Sequence, residues 1–144
     1  MSVVLPRFSV VVAVFNGAKT LQKCLESIAQ QSYQYKELII IDGGSIDGTI
    51  DILKANHEQI NYWVSESDNG IYDAWNKALK KVDGEWIAFI GADDVFLPNA
   101  LKSYADYINA HESEKLDYVS SRVNLVDCDR LIRTIGRPWK WSEF

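Results

Sequence analysis

The chain is predicted to be α/β and Rossmann-like, with a mostly parallel sheet covered by helices on both faces and a hairpin near its end. Three features of the sequence point there. Short apolar, β-branched runs alternate with segments whose apolar residues recur at helical spacing. The runs are apolar throughout rather than at every second residue, the pattern of strands buried on both faces. Each is followed by a polar turn rich in Gly, Asn or Asp, as a strand-to-helix crossover requires.

Residues 8–14 form the first such run, and Asn16-Gly17 turns into a helix with Leu21, Leu25, Ile28 and Ala29 at helical spacing. Residues 38–41 are the second strand. The glycine-rich turn 43–48 follows, then a helix from Thr49 to about Asn56 with Ile50, Leu53 and Ile52 facing in and Asp47 or Ser45 as its cap. A third strand, 61–65, leads through the turn 66–70 into a helix with Ile71, Ala74, Trp75, Ala78 and Leu79 on one stripe. The fourth strand is 86–90. Pro98 opens the first turn of a helix marked by Leu101, Tyr104, Ala105 and Ile108. Residues 118–126 and 131–135, separated by Asp127-Cys128-Asp129-Arg130, read as the two strands of the hairpin.

A length of 144 residues is that of one domain, large enough for a true core. The hydrophobic fraction of 47% and charged fraction of 24% exclude a disordered chain. A net charge of -5, with no cluster of Lys and Arg, argues against nucleic acid as a partner. The longest apolar run, near Val10 to Phe15, falls well short of the ~20 residues of a bilayer-spanning helix. The start of the chain lacks the long apolar stretch of a secretory signal, and Cys24 and Cys128 have no metal-ligand spacing, so a cytoplasmic location is expected. Cys24 falls on the inner side of its helix, as a small buried apolar residue.

Right-handed crossovers bring the carboxyl ends of parallel strands to one edge, the edge at which open α/β sheets bind ligands. Four polar stations then converge there: Asn16, Asp42, Asp68 and the pair Asp93-Asp94. Two adjacent carboxylates repel each other, so a site that keeps both holds a divalent cation or a ribose against them. The alternative is a solvated acidic turn capping the helix near Pro98. The turn Asn16-Gly17-Ala18-Lys19 has neither the three glycines of a dinucleotide fingerprint nor the Gly-Lys-Ser/Thr of a P-loop. Asp42-Gly43-Gly44-Ser45 puts its acid first and would repel a naked phosphate, which suits a sugar-facing or metal-bridged role.

Taken in order, 11–16 (Val-Val-Ala-Val-Phe-Asn), 41–49 (Ile-Asp-Gly-Gly-Ser-Ile-Asp-Gly-Thr), 68–77 (Asp-Asn-Gly-Ile-Tyr-Asp-Ala-Trp-Asn-Lys), Gly84-Glu85-Trp86 and Ala92-Asp93-Asp94 closely resemble the family 2 glycosyltransferases of the A-type fold. The resemblance covers roughly the first 100 residues. It implies an inverting transfer of sugar from a nucleotide diphosphate donor, a UDP-sugar above all, to a glycan or lipid-linked acceptor in surface polysaccharide synthesis. It implies a site formed by Ala13, Phe15, Asn16, Asp42, Asp68, Asp73, Asn76 and Asp93. Phe15 would stand beside the base, Asp42 near the nucleoside and Asp93 near the ribose, with Asp94 as the ligand of Mn²⁺ or Mg²⁺. Placement at the inner face of the membrane by peripheral association, and a homo-oligomer, are compatible with it.

Several positions depart from the family's pattern. Gly43 stands where many members have a second Asp, Gly91 where others have a leading Asp, and Trp75 where an Arg is often found; Trp75 also fits the buried stripe of its helix. By resemblance the general base and acceptor region lie beyond residue 144, leaving His57 and His111 as poor substitutes. A nucleotide-binding half without transfer activity of its own is therefore the second reading, and the aromatic tail Trp139, Trp141 and Phe144 is expected to pack on a neighbouring chain or where the acceptor region docks. A receiver-like signalling domain would need an acidic pair after the first strand, where this chain has only Asn16.

Overall fold

The computed structural model describes residues 5–136, so the expectation for the tail aromatics lies outside the described residues. The elements run β1 (Phe8–Val14), α1 (Leu21–Ala29), β2 (Lys36–Asp42), α2 (Thr49–Ala55), β3 (Tyr62–Ser65), α3 (Ile71–Leu79), β4 (Trp86–Gly91), α4 (Ala100–Ala110), β5 (Val123–Asp127) and β6 (Arg130–Ile135). The first four strands form one sheet in the order β3-β2-β1-β4, and every pair in it is parallel. Register aligns Ala13 with Ile41 and Gly91, Val14 with Asp42, and Asp42 with Ser65. The last residues of all four strands therefore lie along one rim.

The period-2 geometry of a strand splits the sheet's side chains between two cores. Phe8, Val10, Val12 and Val14 of β1 join Leu38 and Ile40 of β2, Leu21, Leu25 and Ile28 of α1, Leu53 of α2 and Leu101 of α4. Val11, Ile39 and Ile41 point the other way, onto Ala74 and Ala78 of α3. Helices thus cover both faces, as the unbroken apolar strands predict. The small side chains of Ala74 and Ala78 let α3 lie close to the sheet.

Away from the rim, the amino ends of the strands are fastened by polar groups. Glu37, almost fully buried, accepts a hydrogen bond from the Ser9 hydroxyl and one from the Asp83 amide at 2.7 Å, and pairs with Arg7 at 3.6 Å. Gly84 packs so tightly here that a Cβ would lie 2.6 Å from the Ser9 amide nitrogen. Close backbone approach explains that glycine better than turn conformation does.

Four local expectations change. Ile71 and Leu79 are 50% and 44% exposed, so the buried stripe of α3 narrows to Ala74 and Ala78, with Trp75 half-buried beside it. On β4, Ile87 and Phe89 are also exposed, because α3 packs chiefly over β1 and β2; it meets β4 where the Trp75 ring lies 4.6 Å from that of Phe89. Pro98 precedes α4 by two residues instead of sitting in its first turn; it belongs to the turn closed by Ala100 N–H to Leu97 O. The hairpin begins later and turns more tightly than expected.

The chain divides into two compact units, the first ending at Ala110 and the second beginning at His111. Within the second, β5 and β6 pair antiparallel from Val123 opposite Ile135 to Asp127 opposite Arg130. Cys128 and Asp129 have φ of 44° and 70°, the doubly left-handed turn that suits the twist of a two-residue hairpin. That geometry, favoured by Asp, draws Asp127 and Arg130 into the strands. Among the described residues no helix is long and apolar enough to cross a membrane.

Candidate functional site

Loops one and two are clasped together. Asn16, at a left-handed φ of 50°, donates its amide to Ser45 Oγ at 2.7 Å, and its Oδ1 accepts the Ile46 amide at 3.0 Å. Asn tolerates that conformation better than most residues. The Gly17 amide reaches Thr49 Oγ1 at 2.9 Å and the Ala18 amide reaches Asp47 Oδ2 at 3.0 Å. The N-cap of α2 is Gly48, at a left-handed φ of 103°, and neither Asp47 nor Ser45; Asp47, the residue before it, accepts the Thr49 amide on Oδ1 at 3.1 Å. The Thr49 hydroxyl, followed by the Ala18 amide, holds the Asp47 carboxyl below its ordinary value.

Asp42 closes β2 with none of its surface exposed. Its Oδ2 accepts the Gly44 amide at 3.1 Å, the Ser45 amide at 2.9 Å and the Ser65 hydroxyl at 2.6 Å, and its Oδ1 accepts the Ser45 hydroxyl. One buried carboxylate thereby ties the end of β3 to the turn after β2.

The third loop is organised from α3. Asp73 Oδ2 accepts the Asn69 amide at 3.0 Å, and Lys77 Nζ reaches the Ser67 carbonyl at 3.1 Å, Glu66 at 3.1 Å and Asp73 at 3.6 Å. The Glu66 hydrogen bond, reinforced by the charge of Asp73, raises the Lys77 ammonium above its ordinary pKa. Asp68 Oδ1 accepts the Gly70 amide at 2.9 Å.

Between these loops opens a cleft of about 500 Å³, walled by Ala13 and Phe15, Gly43, Asp68, and Ile71 and Ala74 of α3. That volume is within the ~300–1,000 Å³ of small-molecule sites. Three predicted residues, Ala13, Phe15 and Asp68, line it, and Phe15 is 66% exposed, free to stack on a flat ligand. Asn16, Asp42 and Asp73 are not among the lining residues: Asn16 Oδ1 and Asp73 Oδ2 each accept a loop amide, and both oxygens of Asp42 are engaged. Asn76 is exposed on α3 and is not among the lining residues.

Asp93 and Asp94 lie one strand along the rim from Ala13, which Gly91 faces in the β1–β4 register. Both are exposed. A Cβ on Gly91 would fall 2.8 Å from Asp93 Oδ1 and 2.9 Å from Asp94 Oδ2, so the two carboxylates converge over a residue that has no side chain. The pair does not cap a helix, since α4 starts only at Ala100. Among the described residues, no group of three or more His, Cys, Asp or Glu is placed to hold a metal. Two hard oxygen donors at an open rim match a Mg²⁺-like ion completed by a diphosphate and water.

Beneath the pair, fully buried Cys24 has its Sγ 3.5 Å from the Gly91 carbonyl. Burial, followed by the charges of Asp94 and Asp93, pushes its thiol from 9.0 to about 12. The unfolded chain therefore loses this proton first, so the contribution of this thiol to stability is full below pH 9 and is lost as pH climbs from there toward 12. Iodoacetamide at pH 8 should modify exposed Cys128 and spare Cys24 until the protein is unfolded; two thiols modified in the folded state would contradict this.

Sequence reading missed Gly43 as a cleft wall, Ser65 and Ser45 as donors to Asp42, and Lys77 as the clamp of loop three. The only signal available was their place in the turns after β2 and β3 and on the helix that follows.

A parallel α/β sheet with a cleft and an acidic pair at its carboxyl rim defines a ligand-binding domain of the open-sheet class. This chain belongs to glycosyl transferase family 2, whose model matches residues 9–134. It is 36% identical over 117 residues to a PGL/p-HBAD biosynthesis glycosyltransferase of Mycobacterium bovis, an alignment covering 78% of this chain and 46% of that relative. The crystal structure of S. aureus TarS 1-349 in complex with UDP-GlcNAc is similar with a TM-score of 0.68 and 29% identity, over 74% of this chain and 32% of that one. The mannosyltransferase PcManGT from Pyrobaculum calidifontis, in complex with GDP-Man and Mn²⁺, gives 0.64 and 26%, over 75% and 33%. The chain thus spans less than half of each of these proteins. The A-type fold expected from the sequence is the fold of these neighbours.

Proposed function

We propose that this chain is the donor-binding part of an inverting glycosyltransferase that transfers sugar from a UDP-sugar to a glycan or lipid-linked acceptor in surface polysaccharide synthesis. The juxtaposition that carries the reading is an apolar-walled cleft one strand away from two converging carboxylates. The nucleoside lies in the cleft with Phe15 against the base, and Asp93 reaches the ribose. Asp94, with Asp93 beside it, would hold Mn²⁺ or Mg²⁺, which when bound neutralises charge developing on the departing diphosphate. The chain's own residues bind and orient the donor: the Asn16–Ser45 and Lys77–Ser67 bonds fix the two loops before ligand arrives. The intact enzyme works in the cytoplasm, peripherally at the membrane's inner face. UDP-GlcNAc in TarS and Mn²⁺ in PcManGT support this donor class and cofactor.

Calorimetric titration with UDP and a UDP-sugar, with and without Mn²⁺, beside a turnover assay tests the proposal. Binding that requires Mn²⁺ supports it, and no binding under either condition removes it. Binding without turnover by the 144-residue chain favours the second reading, a donor-binding half that needs further residues for transfer. Phe15→Ala should weaken UDP binding by ~1 to 3 kcal/mol, the loss of one base–aromatic stack. Unchanged affinity in that variant would take the base away from β1.

A further inference from the structure

We infer that Asp68 reads the base of the donor, selecting uracil through its imide N–H, and that Gly43 is glycine to leave room for it. The inference rests on the nucleotide-sugar reading of the cleft and names its specificity determinant. Gly43 lacks the positive φ that marks several other glycines of this chain, so its turn does not demand glycine. Space does. A Cβ on Gly43 would lie 2.9 Å from Asp68 Oδ2, 3.2 Å from its Cγ and 3.3 Å from its Oδ1, so the Asp68 carboxylate occupies the place of a side chain at 43. An acid supplied from loop three thus faces the cleft where loop two presents only backbone.

The two oxygens of Asp68 are not equivalent. Oδ1 is engaged by the Gly70 amide at 2.9 Å, whereas Oδ2 is the atom nearest Gly43 in the cleft. Oδ2 therefore presents an acceptor to the ligand. Uracil offers a single ring donor, N3–H, to such a group. Cytosine and adenine offer a lone-pair acceptor at the matching ring position, and guanine's paired donors suit a carboxylate with both oxygens free. Loop three holds the group still, through Lys77 to Ser67 and Asp73 to Asn69. A site whose half-buried acceptor must be satisfied rejects a base that cannot donate to it.

The test compares UDP, CDP and GDP in the presence of Mn²⁺, by calorimetry on the parent chain, Asp68→Asn and Gly43→Ala. In Asp68→Asn the Gly70 amide retains the side-chain oxygen, so the new NH₂ faces the cleft and presents a donor. UDP affinity should fall roughly 10- to 100-fold, the loss expected for a hydrogen bond to a charged group, and CDP should gain relative to UDP. Gly43→Ala, which pushes the carboxylate aside, should lower UDP affinity and leave CDP little changed. Phe15→Ala, by contrast, should weaken all three. Circular dichroism confirms folding, and either variant suffices if the other fails to fold. A UDP-to-CDP ratio unchanged by both substitutions, or a parent that prefers CDP or GDP, overturns this inference while the donor-site reading stands. A parent that binds no nucleoside diphosphate overturns both.

Discussion

Replacing Asp94 with asparagine should remove Mn²⁺-dependent binding of UDP while leaving the ligand-free protein folded. The substitution keeps size and one oxygen but deletes a charge from a pair that is exposed and converges over Gly91. Deleting it relieves repulsion from Asp93, so the thermal midpoint without ligand should hold or rise slightly. What is lost is an anionic oxygen donor, and among the described residues no third acidic side chain, His or Cys is placed with the pair to replace it. The diphosphate then meets Asp93 without an ion between them, and calorimetry should register no Mn²⁺-dependent heat. Asp93→Asn should be milder, weakening UDP while preserving some Mn²⁺ dependence. An Asp94→Asn chain that binds UDP and Mn²⁺ as the parent does would sink the metal assignment.

The strands, the parallel order and the common rim were legible because burial on both faces leaves an unbroken apolar run, a pattern that survives whatever the loops do. Phe15 and Asp68 were legible as rim residues for the same reason: a β-α turn after each strand has only a few positions to offer. The partners of the turn residues were not. Whether an aspartate at a strand end points into a cleft or back into its own loop depends on bonds to residues distant in sequence. Ser65 reaches Asp42 across 23 positions and Ser45 reaches Asn16 across 29, and no periodicity encodes either. Exposure on β4 was hidden too, since Ile87 and Phe89 read as core until the placement of α3 over β1 and β2 is known.

Asp42 shows the consequence. An acid at the rim suggests direct contact with the nucleoside, and Asp42→Ala is expected to weaken UDP binding at least as much as Phe15→Ala. The structure adds a second expectation, because the carboxylate is fully buried and already accepts two amides and two hydroxyls. Alanine would strand the Gly44 and Ser45 amides and the Ser65 hydroxyl, each costing about 1–3 kcal/mol if left unpaired. A total near 3 kcal/mol would lower the midpoint of a domain this size by roughly 6–12 °C. Asp42→Asn should recover part of that loss, since its oxygen can keep the backbone donors while its NH₂ turns to the Ser45 hydroxyl. The decisive measurement is therefore thermal unfolding without any ligand. A midpoint in Asp42→Ala equal to the parent's, with UDP affinity lost, would make Asp42 a direct contact. A depressed midpoint, with the asparagine variant in between, would mean that this residue acts on the nucleotide by shaping the loop that carries Gly43 to the cleft.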